Sequence, residues 1–335
     1  MNILVTGNTG FVGLALSRCL LNNGHAIKAL VREFSSLLPA TVEQVIVGDL
    51  SRLAEALSSS ENVREKLTPQ DSMNAHTQKL VGTFHDVDVV VHLAARVHIM
   101  KDTSDAPLTE FKKINTDVTL SLAHEAARAG VKRFIFLSTI KVNGESTHPG
   151  EPFSEQDVCN PIDPYGISKY EAEQGLLQIA QKTGMEVVII RPPLIYGLGV
   201  KCNFASMMRW VGKGIPLPLG AVNNQRSLLA LENLLDFINC CLDHPKAANE
   251  VFLLSDGQDV STTELIQKLA QAQGKKALLL PVPVSWMKFA ADLLGKRDVA
   301  ERLFGSLQID NSKACLKLNW SPVVSMDEQL RKMLK

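Results

Sequence analysis

Apolar and polar positions alternate along this chain in blocks, and the blocks change period in a regular way. Residues 2–5 (NILV) form a short continuous apolar run, which predicts a buried parallel strand. Residues 14–21 follow with apolar positions at helical spacing. Further apolar runs at 25–31, 42–47, 88–93, 133–137 and 185–190 predict five more strands. Residues 107–129 and the segment opening at Tyr165 read as long helices between them. Strand and helix alternate with a repeat of roughly 30–40 residues across the first 190 positions, so the fold class is α/β with a doubly wound parallel sheet.

Beyond Pro193 the alternation stops. Gly197, Gly199, Gly212, Gly214, Pro216, Pro218 and Gly220 mark loops and short helices. Residues 227–242 and 250–254 read as a helix and strand that return to the sheet. Residues 262–273 read as a helix with Ser261 as a candidate N-cap. The expected division is therefore a nucleotide-binding domain at 1–192, rejoined by 226–258, and a discontinuous second lobe from 193–225 and 259–335. The apolar helical stretch WMKFAA at 286–291 reads first as core; a membrane-facing peripheral helix is the second reading. Residues 58–78 are polar and exceed what a plain crossover needs, which predicts a surface insertion.

Composition narrows the class. The 335 residues carry 35 Lys plus Arg against 35 Asp plus Glu, which asks for neither nucleic acid nor an anionic membrane partner. No apolar run approaches the ~18–20 residues of a membrane span, and the first residues enter a strand directly, so neither a transmembrane segment nor a signal peptide is expected. The six cysteines are scattered without a C-x-x-C pair or a His cluster. They read as reduced thiols in a cytoplasmic protein without a metal site.

The chemistry begins at Thr6-Gly7-Asn8-Thr9-Gly10-Phe11-Val12-Gly13, directly after the first strand. Gly7 suits a tight turn, Gly10 lets backbone approach a pyrophosphate, and Gly13 lets helix and strand pack closely. The helix start that follows presents unpaired N–H groups to phosphates. Thr9, Phe11 and Val12 belong to the same candidate cradle for NAD or NADP. After the second strand stand Arg32 and Glu33: Arg32 suits a 2′-phosphate, while Glu33 suits the ribose of NAD, and both readings stay open. Asp49, beside Leu50, is placed either to accept from an adenine amine or simply to shape a turn. Leu93, Ala94 and Ala95 leave room for a flat cofactor at a strand C-terminus, where such sheets bind ligands. His92 reads as a satisfied buried histidine. Arg96 and His98 are candidates for substrate or phosphate.

Tyr165 and Lys169 lie one helical turn apart on one face. A nearby ammonium and an oxidised nicotinamide favour a phenolate over the ordinary phenol. Tyr165 is then placed to move a proton as hydride moves. Thr139, just past the fifth strand, offers a hydroxyl to the same oxygen.

The strings TGNTGFVG, HLAA, LST and YGISK, in this order and spacing, resemble the extended short-chain dehydrogenase/reductase family, and most closely its nucleotide-sugar epimerase and dehydratase branch. The resemblance runs over nearly the whole chain, to KLNWSP at 317–322. It implies Tyr165 as base, Lys169 as its partner and Thr139 as the family hydroxyl. It also implies a cofactor role for Asn115 and Pro192, and nucleotide-sugar contacts at Asn203 and Arg226. Two departures stand out: Leu194 replaces the Asn of the family's post-strand motif, and Val142-Asn143-Gly144 replaces its V-Y-G. The subgroup it resembles makes surface-polysaccharide sugars. The implied activity is hydride transfer at C4 of a UDP-linked hexose. The leading expectation is 4-keto reduction of a UDP-(N-acetyl)-6-deoxyhexose; the alternative is 4-epimerisation of a UDP-hexose or a polyprenyl-diphospho-sugar. A homodimer is a family expectation.

Overall fold

The computed structural model describes residues 1–50, 82–97, 106–200 and 202–334, with the side chains of 202, 203 and 298 left aside. The expected insertion at 58–78 and His98 lie outside the described residues.

By its internal contacts the chain divides into two units. The first comprises Met1–Val142, Cys159–Arg191 and Ile238–Phe252. Its centre is a sheet of seven strands in the order β3-β2-β1-β4-β5-β6-β9. These are β1 (Asn2–Thr6), β2 (Ala26–Val31), β3 (Glu43–Ile46), β4 (Val89–His92), β5 (Arg133–Leu137), β6 (Glu186–Arg191) and β9 (Glu250–Leu253). The ladders from β3 through β6 are all parallel. A parallel sheet covered on both faces needs strands that are apolar throughout. β4 meets that demand with four buried residues, and β1 with four of five. The strand order reverses direction between β1 and β4, so their C-terminal ends open the switch point where such sheets bind ligands. α1 (Phe11–Asn22) follows β1, and α2 (Pro107–Lys112) and α3 (Val118–Arg128) lie between β4 and β5. A π-helical turn at Lys113–Asp117 joins α2 to α3. α4 (Pro164–Thr183) precedes β6. Leu122, Ala126, Phe134, Phe136, Leu176 and Ile189 are among the residues of the apolar core of this unit.

The second unit comprises Asn143–Val158, Pro192–Phe237 and Leu253–Lys335. It contains a two-stranded parallel sheet of β7 (Leu194–Tyr196) and β8 (Leu228–Ala230). Two boundaries differ from the expected ones. Residues 143–158 group here because their backbone pairs with the later chain: Phe153 N–H donates to Gln308, Asp310 N–H to Phe153, and Thr147 N–H to Ser306. Residues 226–237 group here because β8 pairs with β7 and Arg226 pairs with Val260. Only Ile238–Phe252 rejoins the first unit.

α7 (Thr262–Ala272) is capped by Ser261 as expected, and Glu264 completes a reciprocal capping box. α8 (Val284–Leu293) departs from the core reading. None of its residues is buried, and among the described residues only one of its faces, through Val284 and Met287, packs on the core of this unit.

Candidate functional site

The glycine turn fits a dinucleotide. Gly7 has φ +75°, and a Cβ there would fall 2.8 Å from Ala94 N and 2.9 Å from the Leu93 carbonyl carbon. At Gly13 a Cβ would fall 2.1 Å from Gly7 O, so the first turn of α1 lies directly on the turn backbone. α1 begins after Gly10 with no side-chain cap and no acid in its first turn. Its leading N–H groups therefore face outward as an anion site. Asn8 is buried, and its Oδ1 has no hydrogen-bond partner among the described residues. Thr9 is exposed, and Phe11 and Val12 are half-buried beside it. Arg32 and Glu33 stand exposed just past β2, and Asp49 is exposed with Leu50 half-buried after β3.

Leu93, Ala94 and Ala95 leave β4 half-buried against the glycine turn. The residue before them, His92, anchors this end of the sheet. Ala94 N–H donates to Thr6 Oγ1 at 3.1 Å. Thr6 Oγ1 lies 2.8 Å from His92 Nδ1, and His92 Nε2 lies 2.9 Å from Thr119 Oγ1. Thr119 spends its own proton on the Asn115 carbonyl at 2.7 Å, so the His92 proton must sit on Nε2. Every polar atom in the chain of bonds is then satisfied with His92 neutral. Burial, aided by the Lys169 charge, pulls the His92 pKa down to about 3. This agrees with the reading of His92 as a satisfied core histidine.

Asn115 occupies the π-helical turn, a distortion that re-aims side chains within a helix. Its Oδ1 accepts from Arg96 N–H at 2.8 Å, and its Nδ2 donates to Arg96 O at 3.1 Å and to Ser168 Oγ at 3.0 Å. Ser168 in turn donates to Tyr165 O, and Thr116 donates to Ser168 O. Asn115 thus ties the β4 exit to the start of α4. Phe111 lies between the two: the Arg96 guanidinium sits 5.5 Å from its ring centre, and the Tyr165 ring meets it edge-on at 6.2 Å.

Tyr165, Lys169 and Glu173 follow one another on a single face of α4, as i, i+4, i+8 spacing requires. Asp163 caps the helix by accepting from Gly166 N–H at 2.6 Å. Lys141, two residues after Thr139, reaches Asp163 at 2.5 Å. A Cβ at Gly166 would come within 3.0 Å of Lys141 O, so this glycine lets the Thr139 loop lie against the helix start. Lys169 Nζ donates to Leu137 O at 2.8 Å and stands 4.2 Å from the Phe136 ring centre. The structure therefore brings Lys169 to the end of β5, with Thr139 two residues beyond Leu137 and Tyr165 one turn earlier on the same face of α4. Burial lowers the Lys169 pKa to about 7, with Glu173 opposing the change. Burial raises the Tyr165 pKa, and Asp163 raises it further. The helix neighbours alone therefore do not produce the phenolate; added positive charge is needed.

Glu173 is the buried centre behind this face. It accepts from Ser138 Oγ and from Arg191 Nε at 3.0 Å, and pairs with Arg191 Nη2 at 2.5 Å. Sequence reading passed over Glu173, Phe111, Lys141 and Asp163. A buried acid such as Glu173 looks the same in sequence as one on a helix surface.

Pro192, Asn203 and Arg226 fall in the second unit. Pro192 is buried. Asn203 lies in α5 (Cys202–Gly212). Arg226 is half-buried, donates from Nη1 to Gly305 O at 3.1 Å, and is drawn down in pKa by burial while Glu145 opposes the change.

Residues 3–254 match the NAD dependent epimerase/dehydratase family. The chain is 44% identical over 328 residues to a UDP-glucose 4-epimerase of Vibrio cholerae, covering 98% of this chain and 92% of that one. It is 26% identical over 300 residues to the N-acetyl-alpha-D-glucosaminyl-diphospho-ditrans,octacis-undecaprenol 4-epimerase of Escherichia coli O157:H7, covering 88% and 80% of the two chains. The fold is that of the Thermotoga maritima UDP-glucose 4-epimerase solved with UDP-glucose, at TM-score 0.75 and 23% identity over 100% of this chain and 97% of that one. The family match over residues 3–254 and the 44% identity over 98% of the chain agree, and the chain belongs to the NAD dependent epimerase/dehydratase family of extended short-chain dehydrogenases/reductases.

Proposed function

We propose that this protein is a UDP-hexose 4-epimerase that keeps its NAD through the whole reaction. The observation that carries the reading is the 44% identity to the V. cholerae UDP-glucose 4-epimerase over nearly the full length of both chains. NAD bound at the glycine turn supplies the acceptor and then the donor of the C4 hydride. Tyr165 takes the proton of the C4 hydroxyl as the hydride leaves and gives it back as the hydride returns to the opposite face. Thr139 donates its hydroxyl proton to the same oxygen. Lys169, held on Leu137 O, joins the charge that an oxidised nicotinamide would bring, and the two together favour the phenolate that the helix neighbours alone do not produce. Asn115 fixes the backbone of Arg96 and, through Ser168, that of Tyr165. Arg96, His98, Asn203 and Arg226 are assigned to the UDP-sugar, with Arg226 on the diphosphate. Glu33 suits the adenosine ribose of NAD, and Arg32 is the residue to meet a 2′-phosphate should NADP bind. Epimerisation of a polyprenyl-diphospho-sugar is the second reading, supported by the E. coli relative.

The test is a single assay on protein purified without added cofactor. UDP-glucose and UDP-galactose, or their N-acetyl forms, are expected to equilibrate with no NAD supplied. Tyr165→Phe is expected to slow that exchange by about 10²–10⁴-fold. A protein that instead consumes NADPH stoichiometrically with a 4-keto UDP-sugar, and fails to interconvert the hexoses, is the reductase expected from Arg32 and Leu194.

A further inference from the structure

α8 carries two apolar faces, and among the described residues only one of them is packed. Val284 and Met287 turn toward the core of the second unit. Trp286, Phe289 and Leu293, at i, i+3 and i+7, form a separate stripe. Their exposures are 71%, 70% and 80%, and Leu294 at the helix end is 70% exposed. Three large apolar side chains in one surface stripe, with a fourth beside it, mark a contact site rather than ordinary scatter. Lys288 lies on the side of the helix away from the stripe, as its position in the helical repeat requires.

The charge around the stripe departs from that of the chain. Overall, basic and acidic residues balance at 35 each. Between positions 275 and 302 six lysines and arginines stand against three acids. Lys276 before the helix in sequence, and Lys296, Arg297 and Arg302 after it, are exposed, with Arg297 paired to Glu301 at 3.0 Å on the surface. An amphipathic helix with Trp, Phe and Leu on one face and a basic surround suits the boundary between lipid headgroups and acyl chains. A second copy of this chain brings the same excess of positive charge to the contact, so it complements the stripe less well. No helix among the described residues is long and apolar enough to cross a membrane, so any contact of this kind lies on the surface of the bilayer.

We propose that the Trp286-Phe289-Leu293-Leu294 face of α8 docks this protein on the surface of an anionic lipid bilayer. The stripe enters the headgroup boundary, and Lys296 and Arg302 meet lipid phosphates, joined by Arg297 where its exposed pair with Glu301 opens. The inference stands apart from the identity of the sugar substrate, and its readout needs no turnover.

The experiment is vesicle co-sedimentation of the full chain. Vesicles of phosphatidylcholine with phosphatidylglycerol are compared with vesicles of phosphatidylcholine alone, at low and high salt. The protein is expected to pellet with the anionic vesicles and to be released by salt. The triple variant Trp286→Ser, Phe289→Ser, Leu293→Ser is expected to lose about tenfold in binding. Its circular dichroism and its exchange of soluble UDP-hexoses are expected to match the parent, since none of the three residues is in the core or the site. The variant Lys296→Glu, Arg297→Glu tests the charge arm alone and is expected to pellet less with anionic vesicles. Failure of the parent chain to pellet at low salt overturns the proposal, as does equal pelleting of the triple variant. A lipid-free dimer that the triple variant abolishes, without vesicle binding by the parent, makes the stripe an interface between copies and also overturns it.

Discussion

Glu173 has no solvent exposure and holds two partners at once, Ser138 and Arg191. Removing one member of a buried ion pair leaves the other charged and unsolvated, which costs about 3–5 kcal/mol. Glu173→Ala is therefore expected to lower the unfolding free energy by about that amount, read as a shift in urea midpoint at constant slope. Glu173→Gln keeps the shape and one acceptor, and is expected to cost less. His92 makes a prediction of a different kind. Its bonds to Thr6 and Thr119 dictate one neutral tautomer, with the proton on Nε2. Nitrogen chemical shifts of the ring are expected to report that tautomer unchanged from pH 8 to pH 5, while an exposed histidine titrates near its ordinary ~6.5. A ring that titrates within that range refutes the assigned bonds. Residues differ in how far sequence exposes them. That Tyr165 and Lys169 share a helix face was legible because i, i+4 spacing on a helix places them there. Glu173 sits one further turn along the same face, yet its partner Arg191 is 18 positions away, and no local pattern joins them.

Among the elements, the β1–turn–α1 unit was readable in full because its constraints are local. Each glycine does a separate task that geometry can check. A Cβ at position 13 meets the Gly7 carbonyl oxygen at 2.1 Å, and backbone cannot step aside as a flexible side chain can. Gly13→Ala is expected to destabilise the fold by at least the ~1–3 kcal/mol typical of overpacking. It is also expected to strip the NAD absorbance from the purified protein. Gly82 is the control: it is helical, and among the described residues nothing lies within 4 Å of an added Cβ. Gly82→Ala is expected to hold or raise the melting temperature, since alanine favours the helix by up to ~1 kcal/mol. A melting point that falls equally in both variants sinks the packing account of Gly13. The long helix around Asn115 was only half legible. Its apolar period was visible, but the π-helical turn comes from the bonds Asn115 makes to Arg96 and Ser168, which are distant in sequence. α8 failed as a core prediction for the opposite reason. Apolar residues lie on two of its faces, and hydrophobicity does not say which face finds a neighbour.

At the scale of the whole molecule, boundaries are set by backbone pairing across long separations. The 143–158 segment joins the second unit through bonds near residues 306–310, and no composition change near 143 announces it. Global stability is likewise set by a few buried groups, and one of them controls a clear pH window. Lys169 has a pKa of about 7 in the folded protein, against 10.5 ordinarily. Between pH 7 and 9 the unfolded chain keeps this proton while the folded chain releases it. The unfolded state then binds more protons, so stability rises with pH. The gain across those two pH units is about 2 kcal/mol. The other buried groups act outside most of this window: His92, lowered from its ordinary 6.5, acts mainly below pH 7, the Cys241 thiol is raised above its ordinary 9.0, and the Tyr165 and Tyr196 phenols are raised above 10.0. Urea midpoints measured at pH 7, 8 and 9 are therefore expected to climb in the parent protein and to stay level in Lys169→Met, which has no proton to release. Parallel slopes in the two proteins would mean that Lys169 keeps its charge when folded. Its burial against Phe136 and Leu137 would then be offset by Glu173 more fully than the geometry implies.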